Sequence, residues 1–379
     1  MIRILFLSAS VGVGHLSAAG AVCEGLRAVD PSVQTEIVDS YEYAALVVSR
    51  VVSDGYIQMV KTIPQMYRYI YNRAERATEV GPFRTWAHQF TAENLHRLIQ
   101  RWQPDAVVCT HAFPCGAMAE YKRMYSAAPP VVGIVTDYAV HGFWLHADID
   151  AYAVASDEVR STMIARGIDP NRVTASGIPV KPEFAPSPDR RNGLRERLNL
   201  PRDGFVVLMM GGGLGIGPLE RMMRSLQSLD LPLTLVVIAG RNARSERQVM
   251  ATAQKVRFPV RVLTFVDNVY DYMHAADAFV SKPGGLSVAE ALVAQVPLVL
   301  YKPLPGQEER NARVITEAGA GLRVRRLNDL AETLERVLTD SRLRDDIALA
   351  ARKLARPNAA GEAASMIARL VSLRKAVVA

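Results

Sequence analysis

The stretch Ala278–Asn311, AFVSKPGGLSVAEALVAQVPLVLYKPLPGQEERN, contains a complete strand–helix–strand unit. The apolar runs Ala278–Ser281 and Leu298–Tyr301 each predict a short buried strand. Gly284 and Gly285 interrupt the chain after the first run, and the segment that follows them has the composition of a helix. Two strands joined through a helix form a parallel pair, so this stretch predicts an α/β fold with a parallel sheet.

Short apolar runs alternate with helical patterns along most of the remaining chain. Helical patterns such as His15–Val29 and Thr91–Gln100 separate the runs. The alternation predicts repeated βαβ units and parallel sheets in both halves. The other predicted strands are Ile2–Leu7, Gln34–Val38, Ala106–Cys109, Val131–Val135 and Ala151–Ala155 in the first half, and Phe205–Met210, Leu233–Ile238 and Val260–Thr264 in the second.

A proline-rich segment, GIPVKPEFAPSPDRRNG, divides the chain into halves of similar size and has the composition of a linker. A chain of 379 residues also exceeds what one hydrophobic core usually organises. We therefore expect two Rossmann-like domains whose parallel sheets face each other across a cleft, with ligands at the carboxyl ends of the strands. The expected boundaries are 1–180 for the N-terminal domain, 181–195 for the linker, 196–360 for the C-terminal domain, and 361–379 for a final helix that packs back on the N-terminal domain.

The composition is that of an ordinary globular protein from a reducing compartment. Three cysteines without paired spacing argue against a disulfide framework, and buried structural thiols are the simplest interpretation. No apolar run approaches the roughly 18 residues that a membrane span needs. The run Ile2–Leu7 is too short for a signal peptide and is better explained as a buried strand. We therefore expect a cytoplasmic protein.

The net charge of +7 is carried by the second half of the chain. Residues 1–181 contain 16 Lys/Arg and 17 Asp/Glu, a net charge of −1, which leaves +8 for the remainder. A basic half suits a polyanionic ligand such as a nucleotide diphosphate, or an anionic lipid surface. Nucleic acid is disfavoured, because the second half has neither an arginine-rich tract nor interleaved aromatic residues.

Residues 41–103 depart from the alternation of strands and helices. Tyrosine and arginine interleave between Tyr67 and Arg73, which is typical of a segment that lies on a membrane interface. A helical excursion that packs on its own domain explains the pattern equally well. Peripheral contact with the inner face of a cell membrane is therefore one expectation for this segment.

The loop SASVGVGHLSAA after the first strand is the first candidate site. Gly12 and Gly14 match the start of a dinucleotide fingerprint, but Ser17 stands at its third glycine position. Asp39, after the second strand, keeps a nicotinamide interpretation open. His15 lies at the first turn of the predicted helix, where it can accept a proton from a hydroxyl or, alternatively, cap its own loop.

Further polar and aromatic residues follow other strands of the first half. Asp137 comes after the run that ends at Val135, a position where parallel-sheet enzymes hold catalytic carboxylates, although a capping role is the alternative. His111 follows another strand, and His141 and Trp144 lie shortly after Asp137.

The second half contains a glycine-rich segment, VVLMMGGGLGIGPLE, that follows a predicted strand. It holds five glycines within seven residues, including Gly213 and Gly215. So many glycines let the backbone approach a ligand and present amides to it. Pro218 suits the first turn of a helix, and the lack of a following Gly-Lys-Ser/Thr excludes a Walker loop.

The opening stretch carries a second group of candidate ligand-binding residues. The helix after its double glycine, with Ser287 in the first turn, offers free amides to a phosphate. Glu290, one turn further, is placed to accept from both hydroxyls of a ribose, with a surface carboxylate as the alternative. Gln307 and Glu308 follow the next strand and suit the hydroxyls of a sugar.

Taken together, these motifs resemble a known family. GVGHLSAA, CTHAFP, VTDYAVHGFW, GIPVKPEF, GGGLGIGP, AGRN, KPGGLSVAEAL and PGQEERN occur in that family's order over almost the whole chain. The chain is similar to the glycosyltransferases of family 28 that make monogalactosyl- and glucosyldiacylglycerol, relatives of the peptidoglycan N-acetylglucosaminyltransferase. The resemblance implies a GT-B fold, a UDP-hexose donor such as UDP-glucose or UDP-galactose in the second domain, and a lipid hydroxyl such as that of diacylglycerol in the first.

The resemblance also implies an inverting reaction without a metal or cofactor, with the UDP-sugar as a substrate. His15 and Asp137 would serve the acceptor hydroxyl, and we favour His15 as the base while the choice stays open. His111, His141 and Trp144 would lie on the acceptor side. The donor would be bound by Gly14, Gly213, Gly215, Arg241, Val266, Gly284, Gly285, Leu286, Ser287, Glu290, Gln307 and Glu308.

Two aspartates resemble the metal-binding pair of another glycosyltransferase class. Asp148 and Asp150 lead directly into a predicted strand, however, and the histidines nearby fit no known ligand spacing. We therefore interpret both aspartates as structural and predict no metal site.

The sequence departs from the family pattern at two positions. Leu214 stands where plant members carry an acidic residue, which bears on the sugar or acceptor preference. Gly285 stands where the family often has proline, in the loop for the diphosphate. The alternatives are a transferase with a soluble acceptor, a UDP-sugar 2-epimerase of similar fold, and a nucleotide-sugar sensor, which the presence of both His15 and Asp137 disfavours.

Overall fold

The computed structural model describes residues 1–9, 13–44, 82–186, 190–212 and 217–378, which form two compact units. The N-terminal unit comprises Met1–Lys181 and Asn358–Ala379 with the short piece Pro305–Gln307, and the C-terminal unit comprises Pro182–Leu304 and Glu308–Pro357. The predicted ligand-binding residues Gly213 and Gly215, and the tyrosine–arginine run of the segment 41–103, lie outside the described residues.

The N-terminal unit is built on a parallel sheet of six strands in the order β2-β1-β3-β4-β5-β6. The four inner strands β1, β3, β4 and β5 are almost entirely buried, as expected when helices cover both faces of a parallel sheet, whereas the edge strand β2 has no fully buried residue. The direction of strand succession reverses between β1 and β3. The strands are β1 Arg3–Ser8, β2 Gln34–Asp39, β3 Ala106–Cys109, β4 Val131–Ile134, β5 Ala151–Ala153 and β6 Val173–Thr174.

The C-terminal unit is built on a second parallel sheet of six strands, in the order β12-β11-β10-β7-β8-β9. This is the strand order of a dinucleotide-binding Rossmann domain, and the reversal lies between β7 and β10. The strands are β7 Phe205–Met210, β8 Leu233–Ile238, β9 Val260–Leu263, β10 Ala278–Ser281, β11 Leu298–Tyr301 and β12 Gly321–Val324.

Helices connect the strands, and several begin at side-chain caps that their sequences supply. Ser156 accepts from the amide of Val159, and Asn242 accepts from the amides of Arg244 and Ser245. The helices of the described residues are α1 Val13–Val29, α2 Pro82–Trp102, α3 Ala112–Met124, α4 Asp157–Ala165, α5 Arg190–Arg197, α6 Leu219–Ser225, α7 Ala243–Ala253, α8 Val269–Ala275, α9 Gly285–Ala294, α10 Gln307–Glu317, α11 Asp329–Thr339, α12 Ser341–Leu354 and α13 Ala359–Val378.

The last helix completes the core of the N-terminal unit. α13 lies against α1, and its Ala363, Ala364 and Ile367 are fully buried with Ala19 and Val22 of α1. The two helices approach closely at Gly25, where a Cβ would lie 2.9 Å from the carbonyl oxygen of Ala360. The C-terminal residues of the chain are therefore part of the N-terminal unit.

The observed strands agree closely with the predicted ones. Five match residue for residue, and the others differ by one or two residues at an end. Two short edge strands, β6 and β12, were not predicted, because β6 has only two residues and β12 begins with glycine and contains arginine. Two six-stranded parallel sheets with flanking helices confirm the predicted fold class.

Helix α5 begins inside the segment 181–195, which was expected to be a linker. Its sequence, RRNGLRER, has no apolar period that would predict a helix. The side chain of Arg195 is nevertheless only 4% exposed, and its guanidinium pairs with Asp277 at 2.5 Å. Tertiary contacts thus order a segment whose composition is that of a linker. Among the described residues, no helix is long and apolar enough to cross a membrane.

Candidate active site

The first candidate site lies where strand order reverses in the N-terminal sheet, between β1 and β3. His15 lies in the first turn of α1, half-buried, and its Nδ1 is 2.9 Å from the carbonyl oxygen of Thr110 and 3.0 Å from Oγ1 of Thr136. Below it, the hydroxyl of Thr110 donates to that of Ser8 at 3.0 Å, and both residues are fully buried. The imidazole is therefore held by the ends of two further strands, β3 and β4.

These contacts determine which nitrogen of His15 carries the proton. A carbonyl oxygen can only accept, so Nδ1 is the protonated nitrogen that donates to Thr110, and Nε2 carries the lone pair. Burial lowers the pKa of His15 to about 4, because desolvation of the imidazolium outweighs the hydrogen bond to Thr110. The ring is therefore neutral at physiological pH, with a basic nitrogen available for proton transfer.

A second histidine lies edge-on against His15. The ring centroids of His15 and His111 are 4.7 Å apart at an interplanar angle of 83°. His111 is the N-cap of α3, and its Nδ1 accepts from the amide of Phe113 at 3.2 Å. Burial, with the nearby His15 and His141, holds the pKa of His111 well below its ordinary value.

The remaining predicted residues of the acceptor side lie in the loop after β4. Asp137 is 9% exposed and directly follows Thr136, whose hydroxyl contacts His15. His141 is buried and lies close enough to His111 to affect its pKa. Trp144 is 2% exposed and packs inside the unit, where the hydroxyl of Tyr152 donates to its carbonyl oxygen. The acceptor roles of these residues stay predictions.

Three aspartates that invited other interpretations have structural partners. Asp148 pairs with Arg123, while Asp150 pairs with Lys122 and accepts from the amide of Val131. The carboxylate of Asp39, on which the nicotinamide interpretation depended, accepts from the amide of Tyr41 and caps a short helical turn. These contacts agree with the structural interpretation of Asp148 and Asp150.

The second candidate site lies where strand order reverses in the C-terminal sheet, between β7 and β10. The chain leaves β7 through Gly212, whose φ of +78° is a conformation that glycine adopts readily. It leaves β10 through Gly284, the N-cap of α9, which has no side chain to bond the first-turn amides. Gly285, Leu286 and Ser287 form that first turn, where backbone amides lack partners within the helix. The ends of these two strands thus provide the setting of an anion site.

An ion pair that was not predicted from the sequence lies at this point. The ammonium of Lys282 is 3.2 Å from Oε1 of Glu308, and the two side chains are 15% and 12% exposed. The other oxygen of Glu308 accepts from the amide of Leu304 at 2.7 Å. The available signal in the sequence was a lysine between a buried strand and the run Pro283–Gly285.

The carboxyl ends of β8 and β9 bring together two further predicted residues. The guanidinium of Arg241 lies over the ring of Phe265, 4.3 Å from its centroid, and Val266 is the next residue. Ser287 and Glu290 lie half-buried in the first two turns of α9. Arg241 and Phe265 follow β8 and β9, the two strands that continue the sheet beyond β7 on the side away from β10.

Helix α10 begins with Gln307, the predicted residue after β11 that remains to be described. Oε1 of Gln307 is buried and accepts no hydrogen bond from the residues that the structure describes. Asn311 is fully buried, and its amide donates to the carbonyl oxygen of Pro283 at 3.1 Å.

Gly14, predicted on the donor side, lies beside His15 in the N-terminal unit, and its role stays a prediction.

Two family models match the chain, one within the N-terminal unit and one mainly over the C-terminal unit. Residues 15–180 match the family described as monogalactosyldiacylglycerol (MGDG) synthase. Residues 206–369 match the C-terminal domain of glycosyltransferase family 28. The two matched regions contain most of the described site residues, including His15, Asp137, Lys282 and Glu308.

The chain is similar in sequence to named enzymes and in fold to solved structures. The processive diacylglycerol beta-glucosyltransferase of Bacillus subtilis is 29% identical over 341 residues, which are 89% of this chain and 87% of the relative. The crystal structure of Acinetobacter baumannii MurG superposes with a TM-score of 0.64 at 19% identity, covering 97% of this chain and 100% of that one. A UDP-GlcNAc 2-epimerase from Neisseria meningitidis, bound to UDP-GlcNAc, gives 0.60 at 13% identity, covering 98% and 99%. At these identities the two structures establish the fold alone.

Proposed function

Because the chain belongs to the glycosyltransferases that join an MGDG synthase domain to a family 28 C-terminal domain, we propose that it transfers a hexose from a UDP-sugar to a lipid hydroxyl. The observation that carries the proposal is the similarity, over 89% of the chain, to a protein named as a diacylglycerol beta-glucosyltransferase. Diacylglycerol or a similar lipid is the proposed acceptor.

On the acceptor side, His15 is the proposed base. Its Nε2 accepts the proton of the acceptor hydroxyl while the acceptor oxygen bonds to the anomeric carbon from the face opposite the UDP. A base with a low pKa suffices here, because the hydroxyl becomes strongly acidic as the new bond forms. Asp137 is the alternative base, and otherwise it orients the acceptor.

On the donor side, the C-terminal unit binds the UDP and stabilises its departure. As the bond from the anomeric carbon to the diphosphate breaks, its electron pair passes to the diphosphate oxygen. The first-turn amides of α9 and the hydroxyl of Ser287 face that growing charge. Glu290 binds the ribose, the segment at Phe265 and Val266 receives the uracil, and Gln307 with Glu308 recognises the hexose. Transfer with inversion converts an α-linked donor into a β-glycoside, in agreement with the name of the Bacillus relative.

An exposed pair of aromatic side chains on α2 supports binding of the protein to a membrane surface. Trp86 and Phe90, on α2, are 46% and 37% exposed, with ring centroids 5.9 Å apart. Arg97 and Arg101 follow Trp86 and Phe90, respectively, by eleven residues, which is about three helical turns. The four exposed side chains therefore lie along one stripe of α2, with Glu93 between the aromatic and basic pairs. Aromatic and cationic residues on one helix face suit the interface of an anionic bilayer. We propose peripheral binding to the cytoplasmic face through this stripe.

The decisive experiment assays a panel of UDP-sugars with and without diacylglycerol in vesicles. With vesicles, we expect one UDP-hexose to give a β-glycosyl lipid, identified by the coupling constant of its anomeric proton. Without lipid, we expect no product from any of the UDP-sugars. Glycosylation of a soluble acceptor without vesicles would instead favour the soluble-acceptor alternative. Formation of a 2-epimer without any acceptor would show that the chain is an epimerase.

A further inference from the structure

The ion pair between Lys282 and Glu308 lies at the switch point of the C-terminal sheet. Lys282 directly follows β10, and Glu308 lies in the first turn of α10, after the neighbouring strand β11. The pair is largely buried, at 15% and 12% exposure, with 3.2 Å between ammonium and carboxylate. Burial of two charged side chains is opposed by the loss of their hydration. A largely buried pair at the ligand-binding edge of a sheet therefore indicates a functional role.

The two partners of the ion pair lie against the two backbone segments that form the anion site, Lys282 at Gly212 and Glu308 at Gly284. A Cβ at Gly212 would be 3.6 Å from Cε and 3.8 Å from Nζ of Lys282, which places the lysine over the segment that follows β7. A Cβ at Gly284 would be 3.9 Å from Oε1 of Glu308. An anion bound to the first-turn amides of α9 would therefore approach the same ammonium that Glu308 now contacts.

Glu308 has a second hydrogen bond that holds its carboxylate independently of Lys282. Glu308 keeps a second hydrogen bond, from the amide of Leu304, if its contact with Lys282 is lost. A diphosphate carries more negative charge than one carboxylate and offers more acceptor oxygens, so it competes effectively for a lysine ammonium. Its departure from a sugar also raises the charge that the lysine can neutralise.

We propose that Lys282 exchanges partners during catalysis, and this inference rests on the proposed function. In the donor-free enzyme its ammonium pairs with Glu308. In the donor complex it binds the diphosphate and neutralises the leaving UDP, which makes Lys282 a catalytic residue. The exchange frees Oε1 of Glu308 to accept from a hexose hydroxyl, so that recognition of the sugar depends on prior capture of the diphosphate.

Calorimetric titration with uridine, UDP and UDP-hexose tests the exchange. We expect Lys282→Met to weaken UDP binding about 10- to 100-fold, because it removes a charge-assisted contact, while uridine binding stays unchanged. Lys282→Arg should retain most of the UDP affinity. Lys302→Met, which removes an exposed lysine from the loop after β11, is the matched control and should bind UDP as the unchanged protein does.

Glu308→Gln provides the second arm, because it removes the competing partner and keeps the side-chain shape. We expect it to bind UDP as tightly as the unchanged protein or more tightly, and to lose the additional affinity for UDP-hexose over UDP. A loss of UDP affinity as large as that of Lys282→Met would mean that the pair only supports the fold, and would overturn the exchange.

The failure of this inference can be told apart from failure of the proposed function. If the unchanged protein prefers UDP to uridine and Lys282→Met keeps that preference in full, the exchange is wrong and the proposed function stands. If the unchanged protein binds neither UDP nor UDP-hexose, both are wrong. Should Lys282→Met fail to bind uridine because it is misfolded, Lys282→Arg and Glu308→Gln decide the question.

Discussion

At the scale of single residues, one backbone carbonyl determines the tautomer of His15, the proposed base. Thr110 accepts from Nδ1 of His15 and so leaves the lone pair on Nε2, while burial keeps the ring neutral. His111 lies edge-on against the same ring, its own Nδ1 occupied by the amide of Phe113. Two neighbouring histidines thereby have opposite tautomers, each specified by a backbone group.

Substitution of His15 and Glu290 should separate the two halves of the reaction. We expect His15→Ala to lose at least about a hundredfold in kcat, the range of general base catalysis, with UDP affinity nearly unchanged. Glu290→Ala should instead weaken UDP binding by about tenfold, as a charge-assisted bond to the ribose is lost. Steady-state kinetics and calorimetry measure both, and unchanged UDP binding in Glu290→Ala would contradict the ribose assignment.

The pH dependence of turnover should report the low pKa of His15. Only the neutral imidazole accepts a proton, so we expect kcat/KM to be constant through pH 6 and to fall about tenfold per pH unit below the pKa of about 4. An acidic limb near the ordinary value of about 6.5 would contradict the burial argument. Circular dichroism at each pH is the control, because His15 and His111 stay neutral in the fold but protonate when unfolded, so stability also falls as the pH drops below about 6.5.

At the scale of elements, the contact of α1 with α13 joins the two ends of the chain into one unit. Their close approach depends on Gly25, because Ala360 and Ala364 occupy the space that a side chain would need. The same helix α1 carries His15 in its first turn. Packing far from the site thus helps to position the proposed base.

Two glycine substitutions on α1 should have opposite effects on stability. Gly25→Ala places a Cβ 2.9 Å from a backbone oxygen of α13, and we expect it to lower the free energy of unfolding by about 1–3 kcal/mol. Gly20→Ala is the matched control, since nothing lies within 4 Å of its Cβ position, and it should raise that free energy by about 0.5–1 kcal/mol through helix propensity. Urea unfolding followed by circular dichroism measures both, and equal effects would contradict the close approach.

At the scale of the whole molecule, each unit contributes a different part of the proposed reaction. The N-terminal unit carries the proposed base His15, the residues proposed for the acceptor and the exposed stripe of α2. The C-terminal unit carries the glycines, Lys282 and Arg241, which are proposed to bind the donor. Under this proposal, the water-soluble donor and the lipid acceptor bind to different units.

The exposed aromatic pair should anchor the protein to anionic vesicles. We expect the double variant Trp86→Ala/Phe90→Ala to weaken partitioning onto phosphatidylglycerol vesicles by at least about tenfold, because two apolar rings leave the interface. Leu349→Ala, which removes a 54% exposed leucine from α12, is the control and should partition normally. Co-sedimentation measures the effect, and equal partitioning of all three proteins would exclude the stripe as the anchor.

The sequence predicted more of the fold than of the site. The positions of ten strands and the double glycine at the start of α9 follow from local patterns, and the structure agrees with them. The roles of the residues at the strand ends stay predictions. The helix Arg190–Arg197 was missed because its order depends on tertiary contacts such as that of Arg195 with Asp277. The strands β6 and β12 were missed because β6 has only two residues and β12 begins with glycine and contains arginine. Lys282 was missed as a site residue because its partner is 26 residues away in the sequence.

The sequence by itself determined the α/β class and identified His15 as a candidate base, and its proline-rich segment predicted a division of the chain, since periodicity, turn composition and motif order are local properties. Tertiary structure alone decided the strand order, and with it the two points of reversal where distant loops meet. It placed Thr110, 95 residues from His15, against Nδ1, and so chose the tautomer. Burial then lowered the pKa of that ring, because desolvation depends on every element that surrounds a side chain.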